Sequence, residues 1–314
     1  MSSKKRIAIL ATGGTIAGTG EPGKDIGYQS GSLPAEKIAG AVPGLSDIAE
    51  IKTIQVCNLN SDDMTDQIWI DLAQRINDLS REPDTDGFVV THGTDTLEET
   101  AYFLNLTVKT EKPVVVTGAM RPATSNAPDG PRNLYQAVEA AASGANRGKG
   151  VLVAFAGRLF PAREAVKRHT AALDAVASDG TCREAGCGCR KHTTGTEFHV
   201  SGLKALPRVS VLYFAVDADP ALVKYAAAHS DGLVIAGAGA GEFSQAWRSA
   251  LDGCKVPVVV SSRTGCGPVL QETMVCHNAV AAGTLQPAKA AVLLRLALTR
   301  TRDTEELIRI FDTY

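Results

Sequence analysis

The 314-residue sequence contains no run of about 18 uninterrupted apolar residues, which excludes a transmembrane helix. Near its start, the apolar segment from Ile7 to Ala11 is shorter than the hydrophobic region of a signal peptide, and no Ala-x-Ala cleavage pattern follows it. Both observations predict a cytoplasmic protein.

Charge of one sign is not in excess. The sequence has 32 Lys and Arg residues against 34 Asp and Glu residues, a formal net charge of −2. Such a chain has no global field that would hold a nucleic acid or an anionic membrane, so neither is an expected partner. A small polar ligand is compatible with this balance.

Cysteines are few and irregularly spaced. Their odd number, seven, makes a poor disulfide framework, as expected for a cytoplasmic protein. Four candidate ligands lie within eleven positions, namely Cys182, Cys187, Cys189 and His192. Their C-x4-C-x-C-x2-H spacing is not that of a standard structural zinc site, so we expect reduced thiols and no metal.

Short apolar runs alternate with amphipathic stretches along most of the chain. The runs are mostly continuous, as in strands that are covered on both faces of a parallel sheet. Candidate strands are Arg6–Ala11, Ile51–Asn58, Gly87–His92, Pro113–Gly118, Gly150–Phe155, Arg208–Phe214, Gly232–Ala236 and Val256–Ser261. Candidate helices are Thr65–Ser80, Thr96–Leu106, Asp129–Ser143, Asp219–His229 and Pro287–Arg300. This alternation predicts an α/β fold with mainly parallel sheets.

The alternation stops at about Ser178, where glycine-rich and polar sequence replaces it. We therefore predict a larger N-terminal α/β domain (residues 1–178), a linker (179–207) and a smaller C-terminal α/β domain (208–314). Two helix starts have local signals. Thr96 with Glu99 forms a capping-box pattern, and Asp219 precedes a proline suited to the first helical position.

Two segments place polar residues directly after predicted strands. The first runs from Thr12 through Gly13, Gly14 and Thr15 to Ile16. It lacks the G-x-G-x-x-G spacing of a dinucleotide-binding loop, although by itself it could be a simple tight turn. The second runs from Thr91 to Glu99 and reaches a helix N-terminus, where open α/β sheets bind ligands. Thr94 and Asp95 there could also only cap the helix.

Together the two segments resemble the bacterial L-asparaginase family, the threonine amidohydrolases. Thr12 to Ala17 matches the first family signature and His92 to Leu97 the second. Gly118 to Pro122, Asp129 to Leu134 and the sequence from Pro287 onward resemble further family blocks, so that the resemblance covers nearly the whole chain.

The resemblance implies the catalytic groups. A neutral hydroxyl needs help to attack an amide, and the tetrahedral intermediate needs donors. The family nucleophile corresponds to Thr15, and Tyr28 corresponds to a lid tyrosine that closes over it. Thr94, supported by Asp95 and Lys167, would position the attacking water or assist hydrolysis of the acyl-enzyme.

The resemblance also implies groups that bind the substrate. Ser61 would hold the α-carboxylate, and Asp62 and Asp95 the α-ammonium. Asp62 stands where the family has Gln or Glu, so its shorter side chain changes the reach. The main-chain carbonyl of Ala119 would face the amide nitrogen.

Departures from the family pattern lie in the C-terminal half. Ala240 occupies a position where the family often has a side chain that reaches a neighbouring subunit's site. The segment after Ser262 is shortened, and Glu272 is the nearest candidate for the family's intersubunit glutamate. These changes put substrate affinity and the choice between asparagine and glutamine in doubt.

The sequence therefore predicts an L-asparaginase that converts L-asparagine and water into L-aspartate and ammonia without a cofactor. The resemblance implies a homotetramer built as a dimer of dimers. Two alternatives are a glutaminase-asparaginase of broader specificity and a noncatalytic amino-acid-binding protein on the same fold.

Overall fold

The computed structural model describes residues 4–178, 191–274, 276 and 278–314, and these residues form two compact units. Residues 4–178 and 192–204 belong to the first unit, and Lys191 and the residues from Ala205 onward belong to the second. Each unit contains a mainly parallel sheet with helices packed on it. The architecture confirms the predicted α/β class.

The first unit is built on a six-stranded sheet. Its strands are β1 (Lys5–Gly13), β2 (Ala49–Leu59), β3 (Gly87–Thr91), β4 (Val114–Thr117), β5 (Val151–Phe155) and β6 (Arg158–Pro161), in the order β2-β1-β3-β4-β5-β6. All neighbours pair in parallel except β5 with β6. The order reverses between β1 and β3, which defines a topological switch point.

Helices cover both faces of this sheet. They are α1 (Ala35–Gly40), α2 (Leu45–Ile48), α3 (Asp66–Ser80), α4 (Leu97–Thr107) and α5 (Gly130–Ala142). On one face, Ile7 and Ile9 of β1 pack against Leu134 and Val138 of α5. Each such buried side chain contributes roughly 1.5–3 kcal/mol. On α3 and α4, the Trp69 and Phe103 rings stack at 5.0 Å.

The second unit has a four-stranded parallel sheet. Its strands are β9 (Val209–Tyr213), β10 (Gly232–Gly237), β11 (Val258–Ser262) and β12 (Ala279–Ala281), in the order β12-β11-β10-β9. Helices α6 (Ala221–His229) and α7 (Gln245–Asp252) pack on each other, while α8 (Pro287–Ala297) packs on β9, β10 and β11. A last helix, α9 (Thr304–Thr313), packs on α8 and β12.

Most of the elements absent from the sequence prediction are short or lie at sheet edges. One is the antiparallel hairpin of β7 (Ala165–Lys167) and β8 (Val176–Ser178), whose strands of three residues are too short to give a period-two signal. The others are β6, β12, α1, α2, α7 and α9.

Both predicted helix starts lie within one residue of the observed ones, but only one of the two predicted capping contacts is present. The Asp219 carboxylate accepts a hydrogen bond from the Ala221 N–H at 2.8 Å, which confirms that start. The capping box at Thr96 is wrong, because the Thr96 side chain makes no capping hydrogen bond; its hydroxyl donates to the Ser61 carbonyl at 2.6 Å. The hydroxyl thus engages a tertiary acceptor, whereas in a capping box its oxygen accepts from a local main-chain N–H.

Candidate active site

Two polar loops meet at the switch point of the first sheet. One follows β1 and contains Gly14 and Thr15, and the other follows β3 and contains Gly93 and Thr94. Gly14 has φ +77° and ψ −173°, and a Cβ atom there would lie 2.3 Å from the Gly93 nitrogen. Glycine therefore lets the two loops approach closely enough to build one site.

The Thr15 hydroxyl forms a hydrogen bond with the Tyr28 hydroxyl at 2.8 Å. Thr15 is 8% exposed and begins a short 3-10 helix, Thr15–Ala17. The segment that holds Tyr28 is closed by main-chain bonds between Thr19 and Gln29. The two predicted partners are thus joined, and the tyrosine covers the threonine.

The Lys167 ammonium donates to the Thr94 hydroxyl at 2.9 Å and to an Asp95 carboxylate oxygen at 2.6 Å. The Lys167 side chain is 16% exposed, whereas that of Asp95 is 61% exposed. Thr94 is buried. Since the threonine oxygen accepts from the ammonium, its own hydrogen remains available for another acceptor.

Ser61 lies beside the loop that follows β3. It begins a 3-10 helix, Ser61–Asp63, directly after β2, and it is buried. A Cβ atom at Gly93 would lie 2.8 Å from the Ser61 hydroxyl oxygen, so this side chain reaches the Thr94 loop. Asp62 is exposed next to it.

The loop that contains Ala119 is organised by a residue to which the sequence analysis gave no role. The Asp129 carboxylate accepts main-chain N–H bonds from Met120 and Arg121 at 2.9–3.1 Å. Asn133 donates to the Gly118 carbonyl and to Asp129. Both residues lie in a block quoted for the resemblance, and only the folded loop reveals what they hold.

Behind the site, His92 belongs to a buried chain of hydrogen bonds. Its Nδ1 lies 2.7 Å from the Gly93 carbonyl, so this nitrogen carries the hydrogen. Its Nε2 accepts from Thr100 at 3.0 Å, and the Trp69 indole N–H donates to Thr100. Burial lowers the pKa of His92 to about 4, which keeps the ring neutral at pH 7. This chain of hydrogen bonds holds the Gly93 loop in place from its buried side.

The C-terminal candidates lie in the second unit. Glu272 is on a 3-10 helix, Gln271–Thr273. Ala240 lines a small pocket together with Thr273, the residue that follows Glu272 in the chain. Glu272 belongs to the second unit and Thr15 to the first, and the intersubunit role of Glu272 stays a prediction.

Three of the four residues weighed as metal ligands and expected to be free of metal, Cys182, Cys187 and Cys189, lie outside the described residues. His192 is described, and its Nδ1 lies 3.5 Å from the Thr193 hydroxyl. The described residues hold no cluster of three or more His, Cys, Asp or Glu side chains suited to a metal ion. Among the helices of those residues, none is both long and apolar enough to cross a bilayer.

Known proteins share the sequence and the fold. Residues 6–186 match the family described as Asparaginase, N-terminal, and residues 208–311 match the Glutaminase/Asparaginase C-terminal domain. L-asparaginase 2 of Escherichia coli (strain K12) is 43% identical over 329 residues, covering 98% of this chain and 93% of that protein. A glutaminase-asparaginase of Acinetobacter glutaminasificans is 37% identical over 331 residues, covering 99% of this chain and all of that protein.

The crystal structure of a probable cytoplasmic L-asparaginase from Campylobacter jejuni superposes with a TM-score of 0.93 and 40% identity. The match covers 99% of this chain and 100% of that one. Both family matches, the relatives and the shared fold agree with the resemblance read from the two signatures. The chain therefore belongs to the asparaginase family of amidohydrolases.

Proposed function

We propose that the protein hydrolyses L-asparagine to L-aspartate and ammonia through an ester on Thr15. The observation that carries this proposal is the meeting of the Thr15–Tyr28 pair and the Thr94–Asp95–Lys167 set on two touching loops. An amide needs a nucleophile, a proton path and stabilisation of developing charge, and these two sets supply such groups.

In the first step, the Thr15 oxygen attacks the side-chain amide carbon and a C–O bond forms. Its proton leaves toward the Tyr28 oxygen at 2.8 Å. Collapse of the tetrahedral intermediate breaks the C–N bond, and the nitrogen leaves as ammonia after it has gained that proton. The product is an ester of Thr15 with the aspartyl group.

In the second step, water attacks the ester carbonyl and restores the Thr15 hydroxyl. Thr94 positions the water, because its oxygen is held by Lys167 at 2.9 Å and its hydrogen can turn toward the site. Asp95 holds Lys167 in place at 2.6 Å. The net reaction consumes one water and leaves the enzyme unchanged.

Substrate recognition rests on groups at the edges of the two loops. We assign the α-carboxylate to Ser61 and the α-ammonium to Asp62 and to the exposed carboxylate of Asp95. The family resemblance supports these roles, and the nearness of Ser61 to Gly93 is compatible with them. The Ala119 carbonyl would receive the amide N–H, on a loop that Asp129 holds.

Ammonia release from the purified protein tests the proposal, with L-asparagine and L-glutamine supplied separately over a range of concentrations. Release from asparagine that Thr15→Ala abolishes is the expected result. Full hydrolysis by Thr15→Ala would refute the nucleophile. Comparable release from both amides would identify a glutaminase-asparaginase, and release from neither would favour a noncatalytic amino-acid-binding protein.

We further propose a homotetramer, a dimer of dimers in which Glu272 enters the site of a neighbouring subunit. Light scattering should then give four times the 32.9 kDa of one chain. Mixing unfolded Thr15→Ala and Glu272→Ala chains and refolding them together should restore activity, since some sites then receive both native residues. Mixtures no more active than the separate variants would refute a shared site.

The name of the Campylobacter jejuni protein supports a cytoplasmic location for this chain as well. Fractionation of the producing cell checks this assignment, with ammonia release from L-asparagine as the marker. Activity recovered outside the cytoplasmic fraction would overturn it.

A further inference from the structure

Lys167 is held by an element that is separate from the main sheet. It is the last residue of β7, which pairs only with β8 in a two-stranded hairpin, so far as the described residues show. Thr94 and Asp95, in contrast, follow β3 in the centre of the six-stranded sheet. The relative position of the hairpin and the sheet therefore decides whether the ammonium reaches its two partners.

The main chain of Lys167 supplies a second attachment. The N–H of Arg168 donates to the Ala175 carbonyl, so this N–H faces the β8 side of the hairpin. Because successive N–H groups of a strand point in opposite directions, the N–H of Lys167 faces away from β8. Its acceptor is the Glu98 carboxylate, at 2.5 Å.

Glu98 stands in the first turn of α4, three residues after Asp95. It is partly buried, and α4 packs against β7. A carboxylate that accepts from a main-chain N–H makes a bond roughly twice as strong as a neutral one. The negative charge also suits the N-terminal end of a helix, so that α4 itself favours an ionised group at this position.

We propose that Glu98 is a positioning residue for Lys167. Two carboxylates on one segment hold the lysine at its two ends, Asp95 at the side-chain nitrogen and Glu98 at the main-chain nitrogen. Glu98 thereby fixes the β7 backbone at the distance from which the side chain reaches Thr94. This inference rests on the proposed function, because it assigns Glu98 a task in the same reaction.

The Asp95 and Glu98 carboxylates also have different surroundings and therefore different roles. Asp95 is 61% exposed and can meet a substrate, whereas the described contact of Glu98 is with the backbone of the enzyme. Loss of Glu98 should therefore lower kcat and leave KM for L-asparagine nearly unchanged. A displacement of about 1 Å at a catalytic group can cost about 100-fold in rate.

The test compares Glu98→Ala, Glu98→Gln and Glu99→Gln with the unchanged protein. Glu99 lies in the same first turn, so Glu99→Gln is a matched control for the loss of a negative charge at the helix end. We expect kcat to fall about 10- to 100-fold for Glu98→Ala. The loss for Glu98→Gln should be smaller, because the amide oxygen still accepts the bond, and Glu99→Gln should keep kcat within about twofold.

A double-mutant cycle separates positioning from a structural role. In a Lys167→Met background no ammonium remains to be misplaced, so adding Glu98→Ala should change the residual kcat by less than about twofold. An equal loss in both backgrounds, or no loss in the parent, would overturn the inference. Long incubations at high enzyme concentration make the residual rate measurable.

A crystal structure of Glu98→Ala provides the second measurement, and Glu98→Leu, which also lacks the acceptor oxygen, replaces it should the alanine variant not fold. Lys167 Nζ should have moved out of hydrogen-bond distance of Thr94. An ammonium still bonded to both Thr94 and Asp95 would overturn the inference, whatever the rates. If the protein without any substitution released no ammonia from L-asparagine, that result would instead overturn the proposed function.

Discussion

Gly14 is the position where an added methyl group should most strongly reduce stability and activity. Its backbone, with φ +77° and ψ −173°, lies in a region that is essentially reserved for glycine. A Cβ atom would stand 2.3 Å from the Gly93 nitrogen and 2.4 Å from the Gly93 Cα. Both are main-chain atoms, so no side-chain rotation can relieve the contact.

The cost of Gly14→Ala has two parts. Backbone strain of this kind costs about 1–3 kcal/mol, and forcing an extra methyl into packed surroundings costs about 1–3 kcal/mol more. We expect the free energy of unfolding of the first unit to fall by about 2–6 kcal/mol. The rate of ammonia release should fall as well, since Thr15 follows directly and the Thr94 loop must move away.

Gly202→Ala is the matched control. Gly202 also has positive φ, +81°, but an added Cβ meets no atom of the described residues within 4 Å. Strain alone should cost about 1–2 kcal/mol there. The difference between the two variants therefore isolates the contact between the loops.

Urea denaturation followed by tryptophan fluorescence measures both variants. The chain has two tryptophans, Trp69 in the first unit and Trp247 in the second, so a Trp247→Phe background reports the first unit alone. If Gly14→Ala costs no more than Gly202→Ala, the close approach of the two loops is refuted, and with it the packing on which the site depends.

Other predictions follow from the same contacts. As pH falls from about 6.5 to about 4, His92 gains a proton in the unfolded chain but stays neutral in the folded one. Urea titrations should therefore show that the free energy of unfolding falls by about 3 kcal/mol, and His92→Gln should not show this fall. Equal pH dependence in both proteins would refute a neutral His92. Tyr28→Phe removes the 2.8 Å bond to Thr15, which should lower kcat by about 2- to 13-fold without a matching loss of stability; an unchanged kcat would exclude Tyr28 from the proton path. Asp129→Ala should raise KM for L-asparagine more than it lowers kcat, because it frees the Ala119 loop, and a KM equal to that of the unchanged protein would show that this loop does not contact substrate. Burial raises the pKa of Cys57 to about 11, so peptide mapping should find it unmodified after iodoacetamide at pH 8, and rapid labelling would contradict its burial.

Local patterns were enough to predict the fold class. Continuous apolar runs identify strands covered on both faces, and the structure places α5 on one face of the first sheet and α4 on the other side of β4 and β5. The helix start at Asp219 was equally local, since its carboxylate bonds two residues along the chain. Such signals are readable because the partners lie within a few residues of one another.

The two signatures located the Thr15 and Thr94 loops in the same way. Glycines that admit positive φ and hydroxyl residues that follow strand ends are visible as sequence. The family resemblance then supplied the distant members Tyr28, Ser61 and Lys167, which no periodicity could have joined to them.

Only the tertiary structure decided which of these residues meet. Thr96 fits a capping box, yet its hydroxyl crosses 35 positions to the Ser61 carbonyl. The attachment of Lys167 to Glu98 spans 69 positions, and its ammonium reaches Thr94 across 73. The sequence by itself determined which segments become strands, helices and polar loops, because those choices depend on neighbours in the chain. The folded sheet decided the contacts, because a parallel strand order brings distant loops to one edge, where a hydrogen-bond partner in a fixed place competes successfully with a local one.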